Sequence, residues 1–298
     1  MNQKLTPTTI LLLAIPPLLW AGNAIVGRMV HAMVPPVTLN FFRWALALLI
    51  LLPLAAGIYR RDSSLWRNWR RYALLGLLGV GMYNALQYLA LQSSSPINVT
   101  LVAASMPVWM LLVGALFFKA RVSRWQLAGA LLSMAGVLTV LSRGDVRQLL
   151  ALRLVPGDLF MIVATIAWSV YSWLLTRDTG DVLRRDWAQF LLAQVSFGVL
   201  WSALFAAAEW GQSAPRILWS WPLAAAVAFV ALGPAVIAFR CWGAGVQRVG
   251  PNIAAFFNNL TPLFAALMSS AFLGEVPHLY HVLAFAFIVG GIVLSSRR

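Results

Sequence analysis

The sequence predicts an all-α integral membrane protein whose ten transmembrane helices form two inverted five-helix repeats. Three observations carry that expectation: the composition, the recurrence of apolar runs long enough to cross a bilayer, and a self-similarity at an offset of 155 residues. The 298 residues are 61% hydrophobic and only 10% charged, with a mean hydropathy of +0.81. A soluble domain is about half apolar and a quarter charged, so this chain carries more apolar surface than one water-soluble core can hide. A helix needs about 20 apolar residues to span a membrane.

The predicted spans are 9–30, 36–58, 71–92, 96–118, 123–142, 156–176, 187–208, 220–246, 250–273 and 277–296. The first follows a lysine, as a signal peptide would. Pro16-Pro17 interrupts it and many spans follow, so it reads as a retained helix. Continuous apolarity without two-residue alternation argues for helices rather than a barrel. Trp66, Trp69, Trp210, Trp219 and Trp221 fall near span ends, where an aromatic belt belongs. Polar residues and tryptophans mix around 143–155 and 209–219, which leaves those boundaries least defined.

The net charge of +14 would suggest nucleic acid in a soluble protein. Here the cations sit in short loops between apolar runs, and no nucleic-acid partner is expected. Lys4, Arg60, Arg61, Arg67, Arg70, Arg71, Lys119, Arg121, Arg124, Arg177, Arg184, Arg185, Arg248, Arg297 and Arg298 share one side. Arg28, Arg143, Arg147, Arg153 and Arg216 fall on the other, and the imbalance predicts both termini in the cytoplasm. Cys241 is the sole cysteine and excludes an intrachain disulfide.

Sliding the chain by 155 residues places Ser95-Pro96 on Gly250-Pro251, Pro107 on Pro262, Phe117 on Phe272 and Gly136 on Gly291. Trp20 has a counterpart in Trp168. The expected organisation is a first five-helix repeat over 1–142, a connection over 143–155 and a second repeat over 156–298. Five is odd, so the second half enters the membrane from the opposite side. Inverted repeats of this kind are a transporter signature, with the solute site near the midplane where the halves meet.

The candidate substrate-binding residues are Trp20, Asn23, Tyr83, Gln87 and Trp109 in the first half, with Trp168, Tyr171, Ser172, Arg240, Trp242, Asn258 and Asn259 in the second. An amide in hydrocarbon is costly without a partner or a water-filled cavity. Tyr83 and Gln87 share a helix face, as do Trp168 and Ser172. A cavity with aromatic walls and a few amides suits a zwitterion with an apolar side chain; hydrogen bonding between helices competes as an explanation for each residue alone. Pro107 and Pro262 lie mid-span, as a hinge or a static kink. Arg43 and Arg240 lie within spans, and either guanidinium matches a carboxylate geometrically. Arg43, about two turns into its helix, reads first as an anchor that snorkels or caps carbonyls. Arg240 is deeper and joins the candidate site.

All eight acidic residues fall in loops or at span ends, which points away from a simple carboxylate proton relay. Glu275, His278 and His281 are spaced by three, but two lie at a helix start by the interface and read as solvated rather than metal-binding. No metal and no cofactor is expected. Asn98-Val99-Thr100 fits a glycosylation pattern but lies too near the bilayer. No Gly-rich phosphate loop, Gly-x-Ser-x-Gly elbow or His-Glu-x-x-His pair occurs, so a membrane-embedded enzyme is a remote alternative.

With these residues in hand, the chain resembles the drug/metabolite transporter superfamily, in its ten-helix EamA-type branch. The matching residues are Gly157-Asp158, Ala167-Trp168 and Arg177; Thr261-Pro262-Leu263 running to Phe272-Leu273-Gly274-Glu275, then Gly290-Gly291; and Trp20-Ala21-Gly22-Asn23 with Arg43. The first half departs from the pattern, with Lys119-Ala120-Arg121 where family members often carry Gly-Glu. The resemblance implies a cavity lined by helices 1, 3, 4, 6, 8 and 9, in a bacterial inner membrane protein among membrane lipids. It also implies export of amino acids with bulky apolar or aromatic side chains by alternating access. A multidrug or cationic-compound exporter is the alternative.

Overall fold

Proline marks the start of many of these helices. The computed structural model describes residues 5–94, 96–145, 147, 155–212, 216–273 and 278–297, with the backbone alone for 28, 96, 97 and 269–273. Lys4, Ser95, Arg153, Gly274-Glu275, Arg298 and most of the 143–155 connection lie outside the described residues. The described residues form helices and turns without a strand: α1 (Pro7–Val30), α2 (Pro36–Ala55), α3 (Ser64–Arg67), α4 (Trp69–Leu75), α5 (Tyr83–Ser93), α6 (Pro96–Ala104), α7 (Met106–Phe118), α8 (Arg124–Leu141), α9 (Pro156–Thr176), α10 (Trp187–Gln212), α11 (Trp221–Val230), α12 (Ala238–Val249), α13 (Pro251–Phe257), α14 (Leu260–Leu273) and α15 (Leu279–Ser295). Five begin on a proline, whose missing N–H would have had no intrahelical acceptor and whose φ is already helical. Caps supply the rest. Thr6 accepts from Thr9 N, Ser123 and Gln126 form a reciprocal capping box on α8, and Ser220 accepts from Leu223 N.

Among the described residues seven helices are long and apolar enough to cross a membrane: Pro7–Gly27, Pro36–Tyr59, Trp69–Ser93, Arg124–Leu141, Pro156–Thr176, Trp187–Gln212 and Trp221–Val249. An eighth span is broken: Asn98–Ala104 and Met106–Phe118 meet at 42°. α15 is apolar and 17 residues long, and α13 and α14 are parted at Asn258-Asn259. α1 runs unbroken through Pro16-Pro17. Pro107 and Pro262 do not interrupt continuous helices. Each stands in the first turn after a break, where no hydrogen bond is lost, and the ring's clash with the residues before it helps end the preceding helix.

Two spans contain a π-helical segment. Gly76–Met82 joins α4 to α5, and Ala231–Ile237 joins α11 to α12. An offset of 155 residues carries the first segment onto the second, residue for residue. The same offset carries the Ser105 break onto Leu260, directly after the Asn258-Asn259 break, and Arg124 at the start of α8 onto Leu279 at the start of α15. Packing follows the same correspondence: α8 lies against α15, α2 against α10, α1 against α12 and α14, and α9 against α5 and α7.

Lipid tails are as apolar as leucine, so close backbone approach rather than hydrophobic burial holds such helices together. A Cβ on Gly129 would lie 2.7 Å from Gly291 O, and one on Gly291 the same distance from Gly129 O. A Cβ on Gly136 would meet Ala284 O at 2.9 Å. These small residues therefore join α8 to α15 within one chain. Gly76 and Gly198 play the same part between the first π segment and α10.

Each end of the bundle is tied by second-half carboxylates. At the arginine-rich end, Asp181 accepts from Ser64 Oγ and Tyr72 OH at 2.6 Å each, with Arg71 Nη1 3.8 Å away. Arg71 also donates to Thr179 Oγ1 and Arg177 O, and Arg184 donates to Arg177 O and Leu175 O. At the opposite end, Glu209 takes the N–H groups of Val37 and Thr38 at the start of α2 and the Thr38 hydroxyl, at 3.1, 2.8 and 2.8 Å. This role accounts for α10 running on to Gln212, past the predicted boundary at 208. Asp158, in the first turn of α9, accepts from Ser94, Asn98 and Val155 N. Trp66, Trp69, Trp210, Trp219 and Trp221 are exposed, as a belt requires.

Candidate functional site

The helices converge on a cluster of aromatic rings. Trp168 of α9 is its hub, 3% exposed, with ring centroids 5.3 Å from Trp20, 5.3 Å from Tyr83, 5.1 Å from Tyr171, 5.4 Å from Phe239 and 5.6 Å from Trp242. Offset and edge-on pairs at these separations contribute about 0.5–1.5 kcal/mol each beyond their burial. Trp20 and Tyr83 come from the first half, the others from the second. Spacing explains their convergence: Trp168, Tyr171 and Ser172 share one face of α9, and Phe239 and Trp242 share one face of α12.

The polar edges of the rings are mostly satisfied. Trp242 Nε1 donates to Ser172 Oγ at 3.1 Å, Tyr171 OH to Gln194 Oε1 at 2.9 Å, and Trp20 Nε1 to Pro234 O at 3.2 Å. The last acceptor is available because of the π segment. The Ala238 N–H, which an α-helix would aim at Pro234 O, goes to Gly233 O and Ala235 O. Arg43 Nη2 donates to the same Pro234 carbonyl at 3.1 Å. Trp168 Nε1 and Trp44 Nε1 are buried without a partner, as are Nε and Nη1 of Arg43.

The remaining predicted residues fall into three groups. Asn23 lies half-buried one turn beyond Trp20. Gln87 is half-buried one turn beyond Tyr83. Trp109, Asn258 and Asn259 gather at the two helix breaks: Trp109 Nε1 donates to Ser105 Oγ at 3.0 Å, Asn258 Nδ2 reaches Met106 Sδ at 2.8 Å, and Asn259 Nδ2 donates to Ser133 Oγ at 2.8 Å. The side-chain oxygens of Asn258 and Asn259 are buried and unpaired.

Arg240 stands apart. It is exposed, with its guanidinium 4.2 Å from the Trp187 ring centroid, and the structure does not bring it to the cluster. Of the two anchoring roles expected of it, Arg43 does not snorkel but does cap a carbonyl, that of Pro234. It is 2% exposed, because the face of α2 that carries Asn40, Arg43 and Ala47 packs inward against α10 and the second π segment. Arg43, Trp44 and Phe239 are the residues around the cluster that sequence reasoning left out of the site.

Among the described residues the cluster is closed: Trp168, Tyr171, Ser172 and Trp242 are buried and neighbouring rings pack against one another. An apolar recess of about 290 Å³ lies elsewhere, on the flank between α2 and α10, lined by Thr38, Phe41, Phe42, Ala203, Ala206, Ala207 and Trp210. It offers almost no polar contact, whereas the unpaired donors surround the aromatic cluster. The cluster is therefore the better candidate site.

Helices of this length and apolarity, closing on buried aromatic and amide side chains, are those of an integral membrane protein. The chain belongs to the EamA-like transporter family, whose model matches residues 7–142 and again residues 155–297. It is similar to the aromatic amino acid exporter YddG of Ancylobacter novellus, 27% identical over 94% of this chain and 93% of that one. It is also similar to the uncharacterized transporter YyaM of Bacillus subtilis, 25% identical over 85% of this chain and 80% of that one. A protein of known crystal structure, 24% identical, shares the fold with a TM-score of 0.74 over 96% of this chain and 95% of its own.

Proposed function

We propose that this transporter exports amino acids with bulky apolar or aromatic side chains across a bacterial inner membrane by alternating access. One observation carries the reading: a closed aromatic cluster built by both halves, Trp20 and Tyr83 on one side and Trp168, Tyr171 and Trp242 on the other. Relative motion of the halves parts these rings and admits a flat apolar side chain between them. The named activity of the Ancylobacter relative supports the substrate class.

The ten-span inverted repeat, 1–142 and 156–298 around a connection at 143–155, belongs to the same proposal. It is supported by the paired π segments, the paired helix breaks and the reciprocal packing of α1 and α9 into the opposite half. Two five-helix units related in this way form a pseudo-two-fold interface, and rocking about it exposes one site to each side in turn. The arginine distribution supports cytoplasmic termini. Every described carboxylate lies in a loop or at a span end, which supports transport without a carboxylate relay.

The test is uptake of labelled phenylalanine, tryptophan, methionine and threonine, with a cationic dye, into proteoliposomes with and without a pH gradient. Protein-dependent phenylalanine and tryptophan flux that ignores the gradient is expected. Movement of the dye alone would replace this reading with drug export.

A further inference from the structure

Arg43 is a buried cation with no counter-ion among the described residues. It takes part in no ion pair among the described residues, and its guanidinium has one acceptor, Pro234 O, for five N–H donors. Removing a guanidinium from water is costly unless an anion or a full set of acceptors replaces the water. A cation needed only to tie α2 to the π segment would be met by neutral carbonyls on its remaining nitrogens. Here Nε and Nη1 have no hydrogen-bond partner among the described residues, and the guanidinium's other contact is the face of the Trp44 ring, 5.0 Å from its centroid, which supplies no anion. Trp20 shares the Pro234 carbonyl, so the guanidinium stands no farther from the Trp20 indole edge than two hydrogen-bond lengths, and Trp20 packs on Trp168. The Trp168 and Trp44 indole N–H groups are likewise buried without acceptors. The neighbourhood thus has surplus donors, positive charge and aromatic walls.

We propose that Arg43, rather than Arg240, is the substrate carboxylate subsite of this transporter, with the apolar end of the ligand among Trp20, Trp168 and Trp242. The aromatic half of this assignment rests on the amino-acid reading above; the anionic half rests on Arg43 alone. A carboxylate on the open edge of the guanidinium supplies the missing counter-charge, and the Trp168 N–H is a second donor once the rings part. Arg43 sits on α2, a helix outside the set that family resemblance assigns to the cavity. Any acid with a flat apolar body meets these requirements, so the subsite selects for the carboxylate and the rings select for the body.

The test uses the purified full chain, with binding read by intrinsic tryptophan fluorescence and flux measured in proteoliposomes. The probes are 3-phenylpropionate, which keeps the carboxylate and lacks the ammonium, and phenylalaninamide, which keeps the ammonium and lacks the carboxylate. A hydrogen-bonded charge contributes enough that Arg43→Gln should weaken 3-phenylpropionate about 10- to 100-fold while leaving phenylalaninamide within about twofold. Arg43→Lys, which keeps the charge and loses the planar fork, should fall between. Loss of both probes to the same degree in either variant would mean a structural role and overturn the proposal. So would a Gln variant that binds 3-phenylpropionate as the wild type does. Wild-type protein that binds 3-phenylpropionate but moves no amino acid would keep the subsite and remove the exporter reading. Phenylalanine flux whose KM is unchanged in Arg43→Gln would do the reverse.

Discussion

The two ends of the bundle are tied by the same half of the chain through different chemistry. At the arginine-rich end, Asp181 draws a serine hydroxyl, a tyrosine hydroxyl and an arginine onto one buried carboxylate, joining loop 177–186 to the segment around Ser64 and Tyr72. At the opposite end, the hydrogen bonds described for Glu209 and Asp158 come from backbone N–H groups at helix starts and from hydroxyl and amide side chains. An apolar cluster of Val30, Val34, Leu39, Leu223 and Ala226 packs beside them. One backbone bond, Leu218 N to Met33 O at 2.8 Å, spans the connecting segments there. A charged network breaks as a unit when its central acceptor is lost, while helix caps and apolar contacts give way piecemeal. The correspondence of the helices at the 155-residue offset is therefore not matched by the ties, and the two ends should differ in how sharply they open.

Removing the network's acceptor has the largest expected effect. Asp181→Ala strands the Ser64 and Tyr72 hydroxyls and Arg71, and should lower stability by about 2–4 kcal/mol. Hydrogen exchange should rise in 56–72 and 177–186 and stay unchanged at 31–38; equal exchange at both ends would erase the distinction drawn here. Next, Glu209→Ala removes the cap of α2 and should cost about 1–2 kcal/mol, with exchange rising at 31–38 alone. Smaller still, Lys119→Gly should stabilise the arginine-rich end by up to about 1 kcal/mol in thermal unfolding. Lys119 ends α7 at φ 53°, a left-handed position where a side chain is strained and glycine is not. The smallest effect belongs to Arg240→Leu, which loses a cation–π contact worth about 0.5–1 kcal/mol and should leave the KM for phenylalanine within about twofold.

The helices were legible because a bilayer demands long apolar runs, and the predicted spans overlay the described helices to within a turn over most of the chain. What was not legible came from backbone irregularity and from neighbours. Nothing in Gly76–Met82 or Ala231–Ile237 announces a π segment, although Pro234 denies the regular pattern one donor. Pro107 and Pro262 signalled breaks, but composition alone does not say that the break precedes the proline. In the candidate site, the pairing of Trp168 with Ser172 could be read from spacing. The exclusion of Arg240 could have been too: at about 100° per residue it points some 200° away from Trp242, so the two cannot share a face. Phe239, three residues before Trp242, was the readable partner. Arg43 escaped because its depth depends on α10 and the π segment, which no local pattern on α2 reveals beyond Asn40 and Ala47 lying on the same stripe.

Alternating access is the central claim, and locking one end tests it most directly. In a Cys241→Ser background, Ser64→Cys with Asp181→Cys places thiols on two side chains that already touch across the arginine-rich end. Phenylalanine flux in proteoliposomes should fall to the level of empty liposomes when the pair is oxidised and return on reduction. Undiminished flux through the oxidised protein would contradict a mechanism in which that end must open and close in each cycle.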